Sequence, residues 1–272
     1  MGISPAKSRN PIARRRTLRR ELAVRGAVSV AELSDILGAS SATIRRDLDA
    51  LAREGVVERG YGGAAPRAAR PAEEALAVRE QKNVEEKRAI ARAARDLIKP
   101  GDTVFLNDGS TVMALARELA AAELELFVAT PAINVANLLV ENPRFTVCLL
   151  GGFVRRSSLA TGGPFAEAML EQFNADVALL SSDAFSADEG MTFSSTEDAM
   201  LSRKMAARAK RTVAMVISPK FTWTARLAGV KLDDIDTLVT DTLPSALNAK
   251  ITGAGIAVIE APALPADFSA KA

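Results

Sequence analysis

Two stretches of the chain hold polar residues in arrangements that chemistry can use. In SSATIRRDLDALAREG, residues 40–55, the hydroxyls of Ser40, Ser41 and Thr43 precede the paired guanidinium groups of Arg45 and Arg46. These are the groups that bind phosphate oxygens and base edges in a DNA major groove. The second stretch, Asn107-Asp108-Gly109-Ser110-Thr111, follows the apolar run Thr103–Leu106. A Gly-Ser-Thr turn that opens a helix offers free backbone N–H groups, hydroxyls and the positive end of the helix dipole to an anion. An ordinary N-cap uses the same residue types, so both readings stand at this point. A further candidate is Gly151-Gly152 with Arg155 and Arg156 just beyond. Paired glycines after a strand let the backbone approach a ligand closely; a glycine hairpin with a solvated basic end is the alternative.

Positioning these groups requires particular elements. Ile44, Leu48 and Leu51 lie at i, i+4 and i+7, which predicts a helix with one apolar stripe. Each residue advances about 100°, so Arg46 falls nearly opposite that stripe and Arg45 on its flank. Ser40 is placed to be its N-cap. Upstream, Ala31, Leu33, Ile36 and Leu37 predict a short helix closed by Gly38, leaving only Ala39 and Ser40 before the next helix. Helix, tight turn, helix is the helix-turn-helix pattern, with the second helix as reader. Before it, Ile12, Leu18, Leu22 and Val24 form the apolar set of a helix that stops near Gly26. Its Arg14, Arg15, Arg16, Arg19 and Arg20 are either a solvated face or a row of phosphate contacts. After it, Gly55 closes the reader helix, and VVERGYGGA (56–64) predicts a strand and a Gly-rich turn. This is a wing on which Arg59 and Tyr61 reach the DNA backbone or minor groove.

Composition narrows the classes. The 272 residues are 48% hydrophobic, with few aromatics, and suffice for two domains with a core. There is no histidine and one cysteine, which excludes histidine triads, histidine metal sites and a structural zinc site. No metal or cofactor is expected. The lone Cys148 lies in an apolar run, reads as a buried core residue and points to a reducing, cytoplasmic compartment. No run approaches the roughly 18 apolar residues of a membrane span, and no secretory signal is evident. Charge is unevenly divided: residues 1–70 hold 14 Lys/Arg against 7 Asp/Glu, and the remainder 21 against 26. A basic head on a mildly acidic body fits a nucleic-acid module joined to a different kind of domain.

Residues 1–11 read as a disordered tail, 12–64 as a winged helix-turn-helix, 65–80 as a Pro/Ala-rich linker, 81–262 as a larger domain and 263–272 as a tail. In the larger domain a helix is expected over 84–98, with Ile90, Ala94, Leu97 and Ile98 inward. Strand-like runs follow at 103–106, 124–129, 145–150, 177–180, 213–217, 237–240 and 256–259. Helix-like segments at 111–122, 132–140, 165–173, 197–209 and 244–251 separate most of them. Short apolar strands alternating with helices predict an α/β fold with a parallel, doubly wound sheet, whose ligands bind beyond the carboxyl ends of the strands.

The head resembles that of DeoR-family bacterial transcription regulators. The residues that carry the likeness are Val30, Glu32 and Leu33; Ser40, Thr43, Ile44, Arg45, Arg46, Asp47 and Leu48; Leu51 and Gly55; and Gly62, Gly63 and Ala64. The resemblance continues through Gly109, Ser110, Thr111, Gly151, Gly152, Arg155, Gly163, Ala166, Lys220, Thr240 and Asp241, and so spans roughly residues 12 to 260. It implies a sensor domain resembling the sugar-phosphate isomerase-like fold. It also implies that Ser40, Ser41, Thr43, Arg45 and Arg46 face DNA. The pattern is altered at four places. Asn107 stands where it has Asp, Ala129-Thr130 replaces Thr-Asn, Ile217-Ser218-Pro219-Lys220 replaces Asp-x-Ser-Lys, and Ser181-Ser182-Asp183-Ala184 replaces Gly-Ala-Asp-Gly.

The expectation is a sequence-specific DNA-binding repressor without catalytic residues, reading a double-stranded operator through Ser40, Ser41, Thr43, Arg45, Arg46 and Arg59. It is expected as a homodimer or higher homo-oligomer, because such readers bind two-fold-related half-sites. Its effector is expected to be a phosphorylated sugar or related anionic metabolite, held by Asn107, Asp108, Gly109, Ser110, Thr111, Thr130, Gly151, Gly152, Arg155 and Lys220. The altered motifs admit a changed effector or a sensor that has lost tight binding. An isomerase-like enzyme would instead need Asp108, Asp183 and Lys220 to move protons. An architectural DNA binder without effector is the third possibility.

Overall fold

The computed structural model describes residues 28–53, 57–60, 63–66 and 75–263, together with Pro11, Arg14, Arg15, Thr17, Leu18, Glu21 and Leu22. The expectations made for 1–10, Ile12, Arg16, Arg19, Arg20, Val24, Gly26, Gly55, Tyr61, Gly62, most of the linker and the final tail lie outside the described residues, as does the side chain of Arg59. The chain divides into two compact units, Met1–Ala72 and Glu73–Ala272.

In the first unit, β1 (Val28–Ser29) leads directly into α1 (Val30–Leu37). Ser29 and Glu32 form a reciprocal capping box at its start, and Gly38 closes it at φ 59°, a left-handed conformation that favours glycine. Then come α2 (Ser41–Arg53), β2 (Val57–Gly60) and β3 (Gly63–Pro66). The core joins Leu18 and Leu22 to Leu33, Ile44, Leu48, Leu51 and Val57. Burying each such side chain contributes about 1.5–3 kcal/mol. Ala31 is exposed, contrary to expectation, and Val28 and Val30 take the inward places, because Val30, Leu33 and Leu37 form the inward stripe and Ala31 is turned about 100° from Val30. The wing is a three-stranded antiparallel sheet in the order β1-β3-β2, two strands more than expected. Parts of the segment expected as linker belong to secondary structure: Ala65 and Pro66 end β3, and residues 76–80 belong to a helix.

The second unit contains α3 (Leu76–Gln81), α4 (Val84–Arg95), β4 (Thr103–Leu106), α5 (Ser110–Ala120), β5 (Leu126–Thr130), α6 (Ile133–Leu139) and β6 (Phe145–Leu149). A hairpin of β7 (Phe153–Arg155) and β8 (Ala160–Gly162) follows, then α7 (Pro164–Leu170) and β9 (Val177–Leu180). The chain continues through β10 (Ala184–Ser186), β11 (Gly190–Phe193), α8 (Thr196–Ala207), β12 (Thr212–Val216), a 3-10 turn (Ser218–Thr222), β13 (Leu227–Ala228), β14 (Thr237–Thr240), α9 (Ser245–Gly253) and β15 (Ala257–Glu260). All seven expected strands join one parallel sheet in the order β15-β14-β12-β9-β4-β5-β6.

Alternation along the strands feeds two cores. Val104, Leu106, Val128, Leu179 and Met215 pack with α4, α5 and α6 on one face. Phe105, Ala129, Leu180 and Val216 pack with α7, α8 and α9 on the other. The β7–β8 hairpin and the small β10-β11-β13 sheet were not foreseen; their strands are only two to four residues long, too short for a period to show. Cys148, expected in the core, is only partly buried on the edge strand β6, where burial still pushes its thiol pKa up. Strand order reverses between β4 and β9, and in open α/β sheets that switch point is where a ligand crevice forms.

Candidate functional site

The reader helix α2 is built as its sequence requires. Ser40 caps it, its hydroxyl accepting from Thr43 N at 3.3 Å and pairing with the Thr43 hydroxyl at 2.9 Å. The Ser41 hydroxyl pairs with that of Ser34 on α1 at 3.2 Å, tying the two helices together across the turn. Ile44, Leu48 and Leu51 are wholly buried, so Arg45 and Arg46 are held outward, and both are exposed. Ser40 and Ser41 are exposed beside them, and Thr43 is partly so. Arg59 lies on β2 opposite Ala64.

The helix also faces inward with a charge. Asp47 is 3% exposed, and its carboxylate accepts from Arg14 Nε at 2.5 Å and from Arg15 Nε at 3.3 Å. Arg14, expected on a solvated face or against phosphate, is 9% exposed and holds α2 from behind. The carboxylate's partners come from 33 and 32 residues away and not from Arg45 or Arg46.

In the second unit, charged and hydroxyl groups converge beyond the carboxyl ends of β4 and β9. Asp108 follows β4 and is 9% exposed; burial pushes its carboxyl pKa up, against the opposing pull of Arg155 and Arg79. Arg155 arrives on β7, with Nη2 at 3.6 Å from Asp108 Oδ2 and donating to Ser158 Oγ at 2.8 Å and Asp198 Oδ2 at 2.5 Å. Its end of the hairpin is therefore not a solvated basic tip, although Arg156 beside it is exposed. Gly152 permits this fold: its φ is +129°, and a Cβ there would stand 2.5 Å from the Gly162 carbonyl oxygen. Lys220 sits in the 3-10 turn after β12, its ammonium donating to Ser181 Oγ at 3.0 Å and to the Ser182 carbonyl. Burial lowers its pKa to about 8. At the start of α5, Ser110 is buried, and Thr111 is wholly buried with a hydroxyl that has no hydrogen-bond partner. A cleft of about 330 Å³, lined in part by Lys87, Arg88, Ser110 and Arg117, opens beside this turn.

Comparison with known proteins gives these two units names. Residues 14–67 match the DeoR-like helix-turn-helix domain, and residues 82–242 match the DeoR C terminal sensor domain. The chain belongs to the DeoR family. It is 32% identical to the HTH-type transcriptional repressor CsqR of Escherichia coli over 88% of this chain and 91% of that one. It is 34% identical to the HTH-type transcriptional regulator GolR of Listeria innocua over 85% of this chain and 91% of that one. Among solved structures, ribose 5-phosphate isomerase A from Methanocaldococcus jannaschii aligns with 52% of this chain and 56% of its own, at 18% identity and a TM-score of 0.40. This DeoR-family chain is a DNA-binding regulator of transcription, and its named relatives are regulators and not enzymes.

Within the DeoR-family sensor unit, the motif residues separate into two kinds. Some build the fold around the cluster. The Asn107 side chain, expected against the effector, instead donates to the Ser181 carbonyl at 2.8 Å and Ser202 Oγ at 3.0 Å and accepts from Ser181 N at 3.0 Å, clamping β4 to β9. Thr130, also expected there, accepts from Ala132 N at 3.1 Å and starts α6. Gly151 is exposed, with its N–H directed at Met169 Sδ at 3.4 Å. Asp241 accepts from Ser218 N and Ser218 Oγ, both at 2.7 Å, which fixes the turn that carries Lys220. The others, Asp108, Ser110, Thr111, Arg155 and Lys220, bring charge or an available hydroxyl to the crevice. Arg79, Lys87, Ser158 and Asp198 also reach this region and were not foreseen. Arg79 falls in the segment read as linker and Lys87 in a charge-rich helical segment, and in neither does anything local separate an inward cation from a solvated one.

Proposed function

We propose that this regulator is a repressor whose sensor unit binds a phosphorylated sugar or related anionic metabolite, and that binding changes its affinity for the operator. The DNA-reading unit ends with β3 and the sensor unit begins with α3; Ser40, Ser41, Thr43, Arg45, Arg46 and Arg59 meet DNA. A homodimer or higher homo-oligomer in the cytoplasm matches the two-fold half-sites that helix-turn-helix readers use. The observation that carries the sensor reading is the buried, unpartnered Thr111 hydroxyl in the first turn of α5, with the free N–H groups of that turn, and with the Lys220 ammonium at the same end of the parallel sheet. A helix N-terminus, an orphan hydroxyl and a cation together complement an anion's oxygens. A ligand alters DNA affinity only by favouring one of two states, so its effect on the operator complex is part of the test.

The test is a thermal-shift screen over pentose and hexose phosphates, run on the protein and on Thr111→Val. One compound is expected to stabilise the wild type by about 2–3 kcal/mol at a hundredfold excess over its Kd, and markedly less in the variant. The same compound is expected to shift the operator affinity. A flat screen would sink the effector reading and leave a DNA binder with no small-molecule control.

Lys220 sets a pH dependence. Its free ammonium has a pKa of about 8, and an anion bound beside it raises that value. Below about 8 both free and bound forms carry the proton, so affinity is flat. Above it, binding takes up a proton and affinity falls by up to about tenfold per pH unit, while a phosphate monoester remains a dianion. Calorimetric titration with the screened compound between about pH 7 and 9 reads this slope. Lys220→Gln is expected to flatten it, and a flat wild-type profile would remove Lys220 from the site.

A further inference from the structure

Arg79 is held in an unusual state. It lies on α3, and its Nε and Nη2 are both buried without a hydrogen-bond partner. These two nitrogens form one edge of the guanidinium, the edge whose parallel N–H groups engage two oxygens of a phosphate or carboxylate at once. The opposite nitrogen, Nη1, is 3.9 Å from Asp183 Oδ1, and that carboxylate is already engaged by Ser194 N at 2.7 Å. One complete bidentate edge is therefore buried and unmatched, close to Asp183 at the carboxyl end of β9.

The helix that bears Arg79 is itself tied to the sensor at three places. Leu76 N donates to the Ser157 carbonyl at 2.9 Å, in the turn of the hairpin that delivers Arg155. Lys87 Nζ, on the buried face of α4, donates to the Arg79 and Lys82 carbonyls, each at 2.5 Å, and so closes the other end of the helix. Glu80 pairs with Arg117 of α5 at 2.8 Å. Among the described residues, α3 is the first element after the last wing strand, with nine residues of chain between Pro66 and Leu76.

We propose that Arg79 is an effector-binding residue, gripping the anion through its Nε–Nη2 edge, and that it thereby couples occupancy of the sensor to α3, the helix through which the sensor joins the DNA-reading head. The proposal rests on the effector reading above and adds a residue and a route to it. An anion that engages Arg79 fixes α3 from its middle, where its present ties act at the ends and on Glu80. A change in the order of α3 is then passed to the head by chain continuity.

The experiment uses the full chain with inorganic phosphate as probe, against sodium chloride at equal ionic strength. Thermal shift and hydrogen exchange over residues 76–82 are measured for the wild type, Arg79→Gln and Arg79→Lys. Phosphate is expected to stabilise the wild type saturably and to protect 76–82. Arg79→Gln is expected to fold normally, bind phosphate at least about tenfold more weakly and show no protection of 76–82 at saturation. Arg79→Lys keeps the charge without the fork, and is expected to recover only part of the affinity. Wild-type affinity in Arg79→Gln overturns the binding role. Weakened affinity with full protection of 76–82 at saturation overturns the coupling. An Arg79→Gln chain that fails to fold assigns Arg79 to structure and overturns both. A wild type indifferent to phosphate brings down the anion site itself, an outcome separate from any failure of Arg79 alone.

Discussion

Replacing Arg45 and Arg46 together with alanine is expected to abolish operator recognition and leave the head folded. Both side chains are exposed on α2, and the core beneath depends on Ile44, Leu48 and Leu51 instead. Each base contact of this kind contributes about 1–3 kcal/mol of discrimination, so the pair controls roughly two to four orders of magnitude in specific affinity. Non-specific binding falls as well, because each lost phosphate contact lowers the slope of log affinity against log salt by about one. The measurement is fluorescence anisotropy against an operator selected from random DNA by the wild type, at several salt concentrations, with circular dichroism to establish folding. A folded double variant that still separated operator from random DNA at moderate salt would remove α2 from the reader role. The hydroxyls of Ser40 and Thr43 at the start of the helix cannot replace the guanidinium pair, since they pair with each other and Ser40 caps the Thr43 amide.

Asp47→Ala is expected to unfold the head without touching a DNA-facing group. Removing the carboxylate takes from Arg14, 9% exposed, the anionic partner that stands 2.5 Å from its Nε. Breaking a buried pair in this way costs about 3–5 kcal/mol, a large share of the stability of a unit this small. Asp47→Asn keeps the shape and one acceptor and is expected to lose less. Hydrogen exchange over α2 in the full chain separates the head's unfolding from that of the sensor unit. Protection of α2 in Asp47→Ala within about 0.5 kcal/mol of wild type would show that Asp47 is not a structural anchor.

The two replacements bear on adjacent positions of one helix with opposite outcomes, and this locates what sequence can and cannot report. Period and capping are interactions within about four residues, so they are legible along the chain. The stripe of Ile44, Leu48 and Leu51, the cap at Ser40, the stop at Gly38 and the outward pair Arg45–Arg46 all follow from spacing. So do the seven strands of the sheet, whose short continuous apolar runs reflect burial on both faces. The parallel order also places Asn107 and Asp108 at the end of β4, where a ligand crevice is expected.

Partners across the fold are a different matter, because they depend on which segments the topology brings together. Asp47 finds Arg14 at a separation of 33 residues, and Asn107 finds Ser181 at 74. Neither pairing leaves a local trace, so nothing near Asn107 in the chain shows that its side chain clamps β4 to β9. Arg155 read equally well as a hairpin tip; only the return of β7 and β8 against α8 turns it toward Asp108 and Asp198. Lys87 looks like a solvated charge in helical sequence and Arg79 like one in a linker, and packing alone buries the nitrogen atoms that cap one helix end or present an unmatched fork. By itself, then, the sequence determined a DNA-reading helix and a doubly wound sheet, since both are written in the repeat of apolar residues. Tertiary structure alone decided which polar groups are satisfied within the protein and which are not, because satisfaction depends on neighbours that are distant in the chain.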